Sequence, residues 1–176
     1  MHDYVQKKQI LLLREQATIT SMQIHPDGLI MAIGLSNGKL LIYDIRDMSM
    51  ANELEGPSQT AVSSIEFSNK GIFLAASWQG SDTCRVYSLH KGFTFAELKQ
   101  DSEVSSIAFD QYGGFLAVGS LQGGLTISSY KNWKKTLLSK NQLTGAPLST
   151  VKFDQGGRKI FVSSSSQGEI KTLILA

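Results

Sequence analysis

Val104-Ser105-Ser106-Ile107-Ala108-Phe109-Asp110-Gln111-Tyr112-Gly113 is a stretch that this chain writes four times. Its counterparts are Ile19-Thr20-Ser21-Met22-Gln23-Ile24-His25-Pro26-Asp27-Gly28, Val62-Ser63-Ser64-Ile65-Glu66-Phe67-Ser68-Asn69-Lys70-Gly71 and Leu148-Ser149-Thr150-Val151-Lys152-Phe153-Asp154-Gln155-Gly156-Gly157. The anchors Ile24, Phe67, Phe109 and Phe153 stand 43, 42 and 44 residues apart, and a glycine lies four places after each. A period of that length marks one supersecondary unit repeated along the chain.

Each unit reads as sheet. In Val62–Phe67 apolar residues alternate with small or polar ones, the period of a half-buried strand. Ser68–Gly71 is a tight turn with glycine where the backbone needs a positive φ. Ile72–Ser77 is apolar on both faces, as a strand between two layers must be. Thr83–Ser88 and Phe93–Leu98 supply a third strand and an alternating outer one. A lone four-stranded sheet cannot bury both faces, so the units must stack. The sequence therefore predicts an all-β WD-repeat β-propeller with about four blades present, a partial propeller. Its repeats fall at about 17–47, 60–89, 103–130 and 148–176, after an outer strand of a preceding blade in 1–16. Ala32, Ala75 and Ala117 share one second-strand position and predict close packing there; the fourth unit has Phe161. All four anchors are expected in equivalent buried positions.

The WD signature itself is eroded. The third strands end in Tyr43-Asp44, Tyr87-Ser88, Ser128-Ser129 and Leu173-Ile174, and Gly56-Pro57 stands where Gly-His is usual. Most of the side-chain network that those residues build should be missing. Strand counting leaves an outer strand at Gln9–Arg14 with no inner three, and a last unit without an outer strand. A segment of a longer propeller accounts for this best. The alternatives are a ring completed by a partner chain, or a four-bladed ring in which Gln9–Arg14 clasps the last blade.

Composition narrows the setting. The 176 residues carry a net charge of +2, too weakly basic to imply nucleic acid without a clustered patch. Cys84 is the single cysteine, so no intrachain disulfide exists, as suits a reducing compartment. Met1-His2-Asp3-Tyr4 lacks the order of a secretory signal, and Arg14 stops the apolar run at Ile10–Leu13. A soluble intracellular protein is expected.

His25-Pro26-Asp27-Gly28-Leu29-Ile30, Phe67–Gly71, Phe109–Gly113 with Phe115-Leu116-Ala117, and Lys131-Asn132-Trp133 carry a more particular likeness. From about Leu11 onward the chain resembles the C-terminal half of the WD-repeat domain of a family of spliceosomal U-box ubiquitin ligases. These are the pre-mRNA-processing factors of the Nineteen Complex. The resemblance implies a nuclear protein in which an N-terminal U-box recruits a ubiquitin-conjugating enzyme and a coiled coil tetramerises the chain. The propeller then recruits spliceosomal subunits and ubiquitination substrates. No U-box or coiled-coil sequence is present, so this chain is expected to be no enzyme, and ligase activity is attributed to the family alone.

No catalytic residue, metal site or cofactor is expected. His2, His25 and His90 lack ligand spacing, and His25 occupies the turn position of Ser68 and Asp110. Cys84 lies mid-strand, a small core residue rather than a nucleophile. Gly123-Gly124 and Gly156-Gly157 open no helix and so hold no phosphate. Partner binding is instead expected on the loops joining second to third strands. Trp78 is the aromatic candidate there, with Gln79, Asn37, Gln122 and Gln167 as polar neighbours. The other reading of Trp78 folds it back over its blade. Lys131, Lys134 and Lys135 around Trp133 suit a solvated edge strand and, as an alternative, an RNA contact.

Overall fold

The computed structural model describes residues 2–3, 8–9, 17–47, 49–140, 143, 146–164, 166 and 168–175. Every regular element among them is a strand. β1 (His2–Asp3) and β2 (Lys8–Gln9) pair antiparallel in a short ladder. The first sheet holds β3 (Ile19–Ile24), β4 (Ile30–Leu35), β5 (Leu40–Asp44) and β6 (Ser49–Leu54). The second holds β7 (Val62–Phe67), β8 (Phe73–Trp78), β9 (Thr83–Ser88) and β10 (Phe93–Lys99). The third holds β11 (Val104–Phe109), β12 (Phe115–Ser120), β13 (Leu125–Ser129) and β14 (Asn132–Lys140). β15 (Leu148–Phe153), β16 (Lys159–Ser164) and β17 (Ile170–Ile174) form a fourth of three strands. The chain is a partial WD-type β-propeller. Beyond Gln9, the outer strand expected at Gln9–Arg14 lies outside the described residues.

Short-range chemistry builds each sheet. The first hairpin turn closes the same way in all four: the N–H of Gly28, Gly71, Gly113 and Gly157 donates to the carbonyl of His25, Ser68, Asp110 and Asp154. These glycines have φ between +63° and +74°, a conformation that a Cβ penalises. Ser68 Oγ accepts from the Phe73 amide, and Asp110 accepts from the amides of Tyr112 and Phe115. Each first strand also carries a β-bulge at its start, where the register skips Thr20, Ser63, Ser105 or Ser149.

Stacking follows the alternation of side chains. One face of the first sheet (Ala32, Leu40, Ile42, Leu54) packs against Val62, Ile65, Phe67, Leu74, Trp78 and Tyr87 of the second. The opposite face of the second (Phe73, Ala75, Cys84, Val86, Leu98) meets Val104, Ile107, Phe109, Leu116, Val118 and Trp133 of the third. Leu125 and Ile127 of the third then meet Leu148, Val151, Ile160 and Val162. Each fully buried aliphatic or aromatic side chain contributes about 1.5–3 kcal/mol of transfer free energy. Small residues set the spacing: a Cβ on Gly34 would lie 2.6 Å from the Val62 side chain.

Two expectations need correction. Ile24 is 47% exposed, unlike Phe67 and Phe109, because its side chain lies on the outer face of the first sheet. Phe153 is only half-buried. Phe161 does pair at the level of Ala32, Ala75 and Ala117, but on the outer face of the last sheet, where it stays partly exposed.

Candidate functional site

The second-to-third-strand loops share one rim with the chain entering each sheet. The Ser36 N–H donates to Thr18 O (2.8 Å), Gln79 N–H to Ala61 O (2.8 Å) and Leu121 N–H to Glu103 O (2.9 Å). Side chains strengthen the same junctions: Thr60 Oγ1 donates to Gln79 O at 2.8 Å, and the Gln122 amide donates to Ser102 Oγ at 3.0 Å. With their backbones tied down, Asn37, Gln79 and Gln122 present exposed side chains. Asn37 Oδ1 accepts from the Lys39 amide. Gln167 lies outside the described residues.

Trp78 does not join them. It is fully buried, and its indole Nε1 donates to Gly38 O at 2.8 Å. A Cβ on Gly56 would strike the indole, so the glycine there leaves the room that the ring fills, while Gly38 supplies its hydrogen-bond acceptor. The structure therefore makes Trp78 a packing residue that ties the second sheet to the rim loop of the first. The alternation pattern put a large side chain at the end of β8 without revealing what would cover it.

Two grooves at this rim escaped the sequence reading. One, of about 470 Å³, runs beside Asn37 and Lys39 against Glu55–Gln59. Another, of about 580 Å³, lies between Ser58, Thr60 and Gln79 on one side and Asp82 and Glu103 on the other. The loop 55–60 separates them, fastened by Tyr87 Oη and Arg85 Nη1, which both donate to Glu55 O. Burial pushes the Tyr87 hydroxyl up to about 12, which keeps it a donor. Acidic Asp82 is held below its ordinary value chiefly by the Thr83 hydroxyl, and Lys99 lies 3.4 Å from it. Both grooves are lined mainly by residues with polar side chains, able to hydrogen-bond a protein surface.

The opposite, turn-bearing end holds an axial cavity of about 380 Å³ to which all four sheets contribute, through Ile24, Phe67, Phe109 and Phe153 among others. Glu66 faces it, and burial raises its carboxyl pKa against a smaller opposing pull from Lys152. His25 does more than close a turn there. Its Nε2 lies 2.9 Å from Gly71 O, its Nδ1 2.6 Å from Asp27 Oδ1, and its ring stands edge-on to Phe67 at 5.1 Å. It bridges the first sheet to the second.

The remaining candidates fall into the scaffold. Burial pushes the Cys84 thiol up to about 12, where no useful thiolate forms. Trp133 is buried, edge-on to Phe73 at 5.4 Å and Phe109 at 6.4 Å. Lys131 is exposed beside it, while the side chains of residues 134 and 135 lie outside what is described. The WD-type network survives in fragments. Ser120 Oγ donates to Asp101 at 2.6 Å, but Asp44 spends its carboxylate on Arg46, whose guanidinium hydrogen bond holds it down to about 2.

Comparison with known proteins agrees with this geometry. A β-propeller family model described as "Nucleolar protein 10-like, N-terminal domain" matches residues 1–102. Pre-mRNA-processing factor 19 of Dictyostelium discoideum is 29% identical over 162 residues, covering 89% of this chain and 31% of that protein. The Homo sapiens protein of the same name is 33% identical over 121 residues (68% of this chain, 23% of that protein). The Oryza sativa one is 33% identical over 105 residues (59% and 20%). The chain thus spans a third or less of these relatives' length. It belongs to the β-propeller family described by the nucleolar protein 10-like N-terminal domain, and over most of its length it is similar to pre-mRNA-processing factor 19.

Proposed function

We propose that this chain is a protein-recruiting propeller of nuclear pre-mRNA splicing, without enzymatic activity of its own. The similarity to pre-mRNA-processing factor 19 over 162 residues carries this reading. Ubiquitin transfer in such a system belongs to a U-box elsewhere in the assembly, and this segment selects spliceosomal subunits or ubiquitination substrates for it. Asn37, Gln79 and Gln122 are the residues we assign to partner contact. They project from loops whose backbones are anchored, so loop chemistry varies while the sheets stay fixed.

The immobilised chain, incubated with nuclear extract, should retain spliceosomal proteins identified by mass spectrometry. Replacing Asn37, Gln79 and Gln122 together by alanine should reduce that capture and leave the melting temperature unchanged, since all three side chains are exposed. Undiminished capture by the triple variant sinks the rim assignment. The isolated chain, given activating and conjugating enzymes, should form no ubiquitin conjugates. Binding that falls about 1,000-fold between roughly 50 and 200 mM salt would instead identify RNA as the ligand.

A further inference from the structure

The outer edge strands of the second and third sheets, β10 and β14, border a groove of about 590 Å³. Both walls are irregular there. The β9–β10 ladder steps from Thr94 to Ala96 and leaves Phe95 out as a bulge, and the β13–β14 ladder steps from Asn132 to Thr136 and leaves 133–135 out. Bulges re-aim side chains. Phe95 stays 42% exposed although it leans on Phe73 at 5.5 Å, and Tyr130 is 39% exposed. Trp133 also lines the groove but is only 5% exposed, and its Nε1 is buried with no hydrogen-bond partner. A buried indole ordinarily finds an acceptor, as Trp78 does in Gly38 O, and an orphaned donor is costly. The charge here is positive. Lys131 is exposed at the groove, and Lys91 Nζ stands 6.0 Å from the centre of the Phe95 ring. The acid in the lining, Glu97, already accepts from Arg85 Nε at 2.7 Å.

We propose that this groove receives an extended acidic peptide of a partner protein, which sets an aliphatic side chain against Phe95 and Tyr130, a carboxylate beside Lys131, and a hydrogen-bond acceptor at the Trp133 indole. Separate observations specify each part of that occupant. Exposed aromatic surface on two facing bulges calls for an apolar side chain. The lysines call for an acid. The unpaired Nε1 calls for an acceptor, which a peptide carbonyl supplies. β10 and β14 are edge strands, whose outward backbone groups pair with an extended chain rather than a rounded surface. RNA fits less well, because the Trp133 ring on which a base would stack is buried, edge-on to Phe73 and Phe109. The groove shares no residue with the rim contacts at Asn37, Gln79 and Gln122.

A phage library of random short peptides tests this. Panned on the full chain and counter-selected on the double variant Tyr130→Ala, Lys131→Glu, it should enrich sequences that place Asp or Glu next to Leu, Ile or Met. A synthetic peptide of the enriched sequence, followed by fluorescence anisotropy, should bind Lys131→Glu at least about tenfold more weakly than the unmodified chain. A loss of about tenfold is also expected on Trp133→Phe, which keeps a ring and removes the N–H. Binding should be unchanged when Asn37, Gln79 and Gln122 are replaced by alanine, which separates this groove from the rim. Tyr130 and Lys131 are exposed, so their variants should keep the circular dichroism of the parent. If Trp133→Phe unfolds the chain, Lys131→Glu decides alone. No enrichment, enrichment of basic sequences, loss on the rim variant, or a peptide indifferent to Lys131→Glu or to a folded Trp133→Phe overturns the proposal. Oligouridylate that displaces the peptide and is itself lost on the double variant overturns it in favour of RNA.

Discussion

Replacing Trp78 by alanine should cost about 4 kcal/mol of folding stability. The side chain is fully buried between the first and second sheets, and deletion of a buried Trp costs roughly 3–5 kcal/mol in transfer and cavity terms. The lost hydrogen bond to Gly38 O adds less than the full penalty of about 1–3 kcal/mol for an orphaned acceptor, because the vacated space is roomy enough for water. In a chain of this length each kcal/mol moves the melting temperature by about 2–4 °C, so a drop of about 8–16 °C is expected. Gly56→Ala isolates the packing. Gly56 does not have a positive φ, and the added methyl meets chiefly the indole and Gly38 O. Alone, it should cost about 1–3 kcal/mol as overpacking. Combined with Trp78→Ala it should cost less, because the clash with the indole is gone while the close contact with Gly38 O remains, giving a favourable coupling of about 0.5–3 kcal/mol. Urea titrations of the four proteins, with m checked for constancy, measure this. A Trp78→Ala loss under about 1 kcal/mol, or strict additivity with Gly56→Ala, refutes the packing assignment.

Phe109→Ala should lose about 3–5 kcal/mol, since Phe109 is buried edge-on to Trp133; a loss near zero in denaturant removes it from the core. Cys84 should resist iodoacetamide at pH 8 in the folded chain and react on unfolding, because burial holds its thiol near 12; rapid native-state alkylation would contradict that burial. Burial raises the Glu66 pKa on folding, so the folded carboxyl binds its proton more tightly than the unfolded one. Below the ordinary carboxylate range this group is neutral in both states and costs nothing. As pH rises from that range through the raised folded value, stability falls. Glu66→Gln should therefore stabilise the chain at pH 7 relative to its effect at pH 4, and equal effects at both pH values would contradict the assignment.

What could be read in advance was whatever depends on near neighbours in sequence. The period-two alternation of Val62–Phe67 and the turn glycine at Gly71 are local facts, and they carried the four sheets. Trp78 was ambiguous because its environment comes from Gly38 and Gly56, on segments that no pattern joins to it. Ile24 carries the same signal as Phe67, yet whether a strand face is covered depends on the neighbouring sheet rather than on the strand. His25 looked like a turn residue because its acceptor, Gly71 O, belongs to the next repeat. The rim grooves have no sequence signature, since they arise where the loop 55–60 is pulled in by Arg85 and Tyr87.

The bulge at the head of every first strand bears on how such a chain avoids misfolding. Four nearly synonymous segments emerge in succession, and each β7-like strand is a plausible mate for the wrong β8-like strand, which invites swapping between repeats. A slip of one residue would turn Ile65 outward and Glu66 into the interface. In the first, second and last sheets the extra residue opposes the slip by spending a hydroxyl on a specific neighbour, whereas Ser105 Oγ is buried without such a partner. Thr20 Oγ1 reaches Val62 O at 2.7 Å, Ser63 Oγ meets Ser77 Oγ at 2.9 Å, and Ser149 Oγ meets Ser163 Oγ at 2.8 Å. The same defect in the ladder thus works as a proofreading mark: in the second and last sheets it ties the first strand to its own second strand, and in the first sheet it ties the repeat to the one that follows.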